Sequence, residues 1–112
     1  MIAATTTGQA WGLLLVAGLL EIVWALGLKY SDGFTRWGPS VVVVIGAALS
    51  FWFLAAAMKV LPAGTAYAVW TGIGAAGTAL LGIVLLGEPA TLLRLGCVGL
   101  IVAGVLGLKM VS

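Results

Sequence analysis

Two stretches of the chain, Trp37 to Met58 and Val60 to Gly87, contain no charged residue, and two more, Trp11 to Leu28 and Thr91 to Met110, carry only Glu21 and the pair Arg94 and Lys109. As helices rising 1.5 Å per residue, runs of about 18 to 22 apolar residues cross a ~30 Å hydrocarbon layer. The residues between them are of loop type: Lys29 to Pro39 gathers charge, Gly, Pro and aromatics; Leu61-Pro62-Ala63-Gly64-Thr65 forms a tight turn; and Gly87-Glu88-Pro89 closes the third run. Composition agrees, because 7% charged residues is far below the about 25% of a soluble domain. The sequence therefore predicts an all-α integral membrane protein, a single domain over 1–112 with four transmembrane helices at about 11–28, 38–58, 64–86 and 91–110. Met1 to Gln9 is small and polar and lacks the basic lead of a signal peptide, so a frayed tail before an uncleaved first span is expected.

Glu21 stands well inside the first run. A carboxylate at bilayer depth costs at least ~2.5–3.5 kcal/mol, which confines it to positions facing protein, water or a cationic partner. It is the leading candidate for a binding site. The plainer reading is a protonated acid bonded to a neighbouring helix, or one that snorkels to the interface.

Helical spacing gathers other polar and aromatic groups. Trp24 is three residues from Glu21 and shares its face with Gly18, Ala25 and Leu28; Ser50 is the lone hydroxyl between Val41 and Met58; and Tyr67, Trp70, Thr71 and Gly74 form one stripe. An acid, a hydroxyl, a phenol and two indoles suit a cation, since aromatic faces hold a partly desolvated cation with ~0.5–2 kcal/mol per contact. Each has a plainer role as well: a membrane Trp anchors at the interface, as expected for Trp11 and Trp37, and Ser50 can bond the carbonyl one turn back. The cluster Phe51-Trp52-Phe53 offers a binding site as one reading, but most of its rings are expected to touch lipid or a neighbouring helix. Gly72-Ile73-Gly74-Ala75-Ala76-Gly77 spells a dinucleotide fingerprint without the strand that motif requires. Inside an apolar helix, Gly72 and Gly74 serve either as a hinge or as points of close packing. Gly99, Ala103 and Gly107 repeat every four residues, an association face between subunits or within one chain. Cys97, the single cysteine, reads as a small buried hydrophobe.

The five basic residues are scattered, which offers no grip for nucleic acid. Lys29, Arg36 and Arg94 fall on one side of the membrane and Lys59 and Lys109 on the other. So small a bias gives the positive-inside rule little to act on, and insertion in both orientations would permit an antiparallel pair with two Glu21 carboxylates at one centre. With no histidine, metal constellation or nucleophile–base pair, no enzymatic chemistry and no cofactor or metal can be assigned.

Glu21-Ile22-Val23-Trp24-Ala25, Leu28-Lys29-Tyr30-Ser31-Asp32-Gly33-Phe34, the block from Pro62 through Tyr67 and Trp70 to Gly74, and Gly87-Glu88-Pro89 occur in this order. On these segments the chain resembles the small multidrug resistance family over nearly its whole length, Trp11 to Lys109. Trp24, where drug-exporting members commonly have glycine, and Trp70-Thr71-Gly72-Ile73-Gly74 make it similar to the guanidinium exporter subtype. The polar lead Met1 to Gln9 and Asp32 depart from the pattern, away from the expected site. The resemblance implies an antiparallel, dual-topology homodimer in the bacterial inner membrane that exchanges guanidinium for protons. Glu21 would bind both ligands, with Trp24, Ser50, Tyr67 and Trp70 around it. Trp24 would narrow the pocket against bulky drugs. A broader exporter of quaternary ammonium and other hydrophobic cations, and a non-transporting membrane assembly protein, are the alternatives.

Overall fold

The computed structural model describes residues 6–111. Among them lie four α-helices, α1 (Thr7–Tyr30), α2 (Trp37–Ala57), α3 (Ala63–Leu86) and α4 (Leu92–Val111), and no strand. All four are long and apolar enough to span a membrane.

The first helix starts earlier than its apolar run. Thr6 Oγ1 accepts the Gln9 backbone N–H at 3.2 Å and Gln9 Oε1 accepts that of Thr6 at 3.3 Å, a capping box that satisfies two donors the helix start leaves open. Thr7 to Gln9, expected in a frayed tail, are thus helical, because the start signal is polar rather than hydrophobic. The rest of that tail, Met1 to Thr5, lies outside the described residues. At its other end α1 passes Lys29 and stops at Ser31, whose buried hydroxyl donates to the Leu28 carbonyl at 2.8 Å and accepts the Phe34 N–H at 3.1 Å. Asp32, Gly33 and Phe34 then turn the chain with φ of 49°, 70° and 66°, conformations that cost an L side chain and that the Ser31 bonds help to hold. Pro62, with φ fixed near the helical value, launches α3, and Gly87, at φ 67°, ends it in the left-handed region.

The helices form a slab rather than a closed bundle. α1 packs against both α2 and α3, α2 barely touches α3, and α4 packs along α3, giving the lateral order α2, α1, α3, α4. The Cα envelope measures 39 × 35 × 16 Å. Small residues set the close crossings: a β-carbon at Gly18 would come within 2.6 Å of Ile73, and one at Gly27 within 2.9 Å of Val43. The buried core, including Ala10, Leu14, Leu54, Leu61, Ala66 and Val69, collects where the start of α1, the end of α2 and the start of α3 meet. α4 is the exception, with Val98 as its one buried residue among those described. Cys97 is accordingly exposed, not a buried apolar filler, since α4 meets the rest of the chain along a single edge.

Candidate functional site

Glu21 projects from α1 toward α3 at a level where α3 has no side chain. A β-carbon on Gly74 would overlap the Glu21 carboxylate, so this glycine is what admits the acid between the two helices. Glu21 lies two and a half turns before the end of α1 at Tyr30, roughly 13 Å along the axis, which sets it well within the span. The carboxylate lines an open cleft of about 490 Å³ whose walls are Ala25 on α1, Thr71, Gly74, Ala75, Thr78 and Ala79 on α3, and Glu88 and Arg94 beyond the end of α3. Glu21 Oε1 is buried and accepts no hydrogen bond from the described residues.

The remaining predicted site residues form a second group. Ser50, fully buried on α2, donates to the Ala17 carbonyl of α1 at 2.7 Å and accepts the Trp70 indole N–H of α3 at 2.9 Å. One oxygen joins three helices. Ser50 therefore bonds across helices and not one turn back along its own. Phe51, next to it, stands between two indoles, 6.1 Å from the Trp24 ring and 5.5 Å from that of Trp70; Tyr67 continues the row at 5.6 Å from Trp70. Trp24 also rests on Gly46, where a β-carbon would approach it to 3.2 Å, and its indole nitrogen is buried without a partner among the described residues. Tyr67 keeps an exposed side.

Geometry thus unites Trp24, Ser50, Tyr67 and Trp70 in one cluster, and sets Glu21 in an adjoining cleft that none of those four lines. The stripe read on α3 divides between them: Trp70 turns to Ser50, while Thr71 and Gly74 face the acid. Sequence reasoning missed the parts of the cleft contributed by Thr78, Glu88 and Arg94. Thr78 lies four residues beyond Gly74, a spacing that would have placed it on the same line. It missed Phe51 as the link between the tryptophans as well. Gly72 and Gly77 are sites of close approach, where a β-carbon would strike Val105 and Ile22, and α3 runs unbroken through all of them. Of the two expected interfacial tryptophans, Trp37 is 87% exposed, whereas Trp11 packs on the core and carries the Lys109 ammonium 5.3 Å from its ring centre. Around Gly96, Gly99, Gly104 and Gly107, no described atom beyond the helix's own backbone lies within 4 Å of where a β-carbon would stand, so among the described residues the α4 glycine face is open.

Residues 9–101 match the family described as Small Multidrug Resistance protein. A guanidinium exporter of Yersinia pseudotuberculosis is 63% identical over 104 residues, covering 93% of this chain and all of the relative. Guanidinium exporters of Citrobacter freundii and Salmonella typhimurium are each 58% identical over 102 residues, 91% of this chain and 97% of theirs. Both the sequence match along nearly the full length and the four apolar helices agree with the resemblance carried by the Glu21 and Trp70 segments. The chain belongs to the small multidrug resistance family and is a multi-pass protein of the bacterial inner membrane.

Proposed function

We propose that the protein exports guanidinium and small guanidinyl cations in exchange for protons, working as an antiparallel homodimer with alternating access. The observation that carries this reading is the Glu21 carboxylate, set within a span, buried at Oε1 without a hydrogen-bond partner among the described residues and open to a cleft. A carboxylate at that depth with an unpartnered oxygen calls for a cation or a proton. Guanidinium fits because its planar N–H groups can engage both oxygens of a carboxylate. Relatives named as guanidinium exporters, at 58% and 63% identity over almost the whole chain, support the same substrate.

Proton and cation then compete for Glu21. In a dimer the two acids titrate as a coupled pair, and substrate enters only as protons leave. Switching sides with the carboxylates occupied makes exchange obligatory. Trp24, Ser50, Tyr67 and Trp70 stand beside the Glu21 cleft rather than in its wall: the Ser50 bonds fix the Trp70 ring, and in the dimer the aromatic row lines the substrate path that leads past the acid. Gly72 and Gly74 are the hinge of the switch, and Gly99, Ala103 and Gly107 on α4 pack the two subunits together.

Proton-gradient-driven guanidinium uptake into liposomes tests the reading. The native protein should transport and an inserted, folded Glu21→Gln variant should not. Equal transport by both would remove Glu21 from the mechanism. Movement of tetraalkylammonium without guanidinium would leave a broader exporter in its place. Because each bound guanidinium displaces protons, its apparent affinity should weaken as pH falls, by up to about tenfold per pH unit for each proton exchanged.

A further inference from the structure

Gly74, Thr78 and Gly82 follow one another at four-residue intervals along a single line of α3. A β-carbon at Gly74 would overlap the Glu21 carboxylate, and one at Gly82 would overlap the carboxylate of Glu88. The same helix therefore has two side-chain-free places, each with an acid seated in it, about 12 Å apart along the axis. Thr78 lies midway, and its hydroxyl is buried without a hydrogen-bond partner among the described residues. All three polar groups line one continuous cleft.

The outer acid already holds a guanidinium. Arg94 Nη2 donates to Glu88 Oε1 at 3.0 Å in a half-exposed pair. This contact is single rather than bidentate, and Arg94 Nε is buried without a partner among the described residues, so the pair leaves part of the fork's bonding unused. Holding two flexible side chains in a half-exposed pair yields little net stability, typically ~0–1 kcal/mol. A free cation of the same shape can replace such a ligand.

We propose that Glu88 is a second, outer binding site for guanidinium on the path to Glu21, held at rest by the side chain of Arg94 and occupied when the free cation displaces it. Thr78 offers the hydroxyl that the ion meets between the two carboxylates. The proposal rests on the guanidinium reading above and deepens it, by giving the substrate a carboxylate partner before it reaches the buried one.

The test uses the full-length protein in bicelles, labelled with ¹⁵N-arginine and carrying Glu21→Gln to silence the inner site. Arg36 and Arg94 are the two arginines, and an added Arg36→Lys assigns their Nε signals. Guanidinium chloride should shift the Arg94 signal saturably, while tetramethylammonium chloride at equal ionic strength should not. The response should disappear with Glu88→Gln and persist with Glu88→Asp, which retains the charge. An Arg94 signal that ignores guanidinium, that responds alike to both salts, or that still saturates in Glu88→Gln overturns the outer site. Its failure is separable from failure of the transport reading, because loss of liposome uptake by the native protein would strike the latter alone.

Discussion

Ser50 is worth more than a hydroxyl ordinarily is, since its one fully buried oxygen accepts the Trp70 N–H and donates to the Ala17 carbonyl. Ser50→Ala leaves the indole N–H unpaired in an apolar interior and should cost about 1–3 kcal/mol. Unfolding in mixed micelles should show it as a lowered midpoint. Trp70→Phe made on top should add less than it does alone, because the orphaned donor is then gone. Gly74→Ala acts differently, by pushing a methyl into the Glu21 carboxylate. It should abolish guanidinium uptake in liposomes with the protein still inserted, whereas Gly12→Ala, with open space around it, should transport normally. Glu21, Trp24, Ser50, Tyr67 and Trp70 were all legible as candidates from charge, burial depth and helical spacing. Their division into an aromatic cluster and a separate acidic cleft was not. A stripe at i, i+3, i+4 and i+7 is wide enough to face two neighbours, and spacing along one helix does not say which helix stands opposite.

Among the elements, α3 carries the most information in the fewest side chains. Its glycines meet Glu21, Ile22, Val105 and Glu88, so what reads as a nucleotide fingerprint serves close approach on two sides. Its end is set by backbone geometry: Gly87 at φ 67° closes the helix with its N–H on the Gly82 carbonyl. Gly87→Ala forces an L side chain into that region and should destabilise the protein by ~1–2 kcal/mol. The same change perturbs the approach to Glu88, so the drop in thermal midpoint should come with altered guanidinium uptake; unchanged stability would show that the turn is not needed. Helix number and the ends marked by Pro62 and Gly87 could be read from turn chemistry. The start of α1 could not be found by hydropathy, because Thr6 and Gln9 specify it through hydrogen bonds.

At the scale of the whole molecule, a slab 16 Å thick in its Cα envelope cannot enclose a solute path by itself. The cleft at Glu21 is open on one side, and the α4 glycine face meets no other described helix of the chain. A second subunit meets both needs, and the α4 spacing of Gly99, Ala103 and Gly107 permits close backbone contact. Charge leaves its relative orientation free. Lys29 in the last turn of α1, Arg36 in the connection after it and Arg94 in the first turn of α4 oppose Lys59 and Lys109, a difference of one residue in a rule that counts Lys and Arg in short loops and near span ends. Insertion in both directions is the expected result. Ala90, exposed in the connection between α3 and α4, can report it: in a Cys97→Ala background, Ala90→Cys should be modified by a membrane-impermeant maleimide from outside intact cells in roughly half of the molecules. Full or absent labelling would mean one orientation and a parallel or monomeric protein. Adding lysines beside Ala90 should drive the labelled fraction toward zero, by drawing that connection to the cytoplasm, and guanidinium export should fall with it as antiparallel pairs are lost.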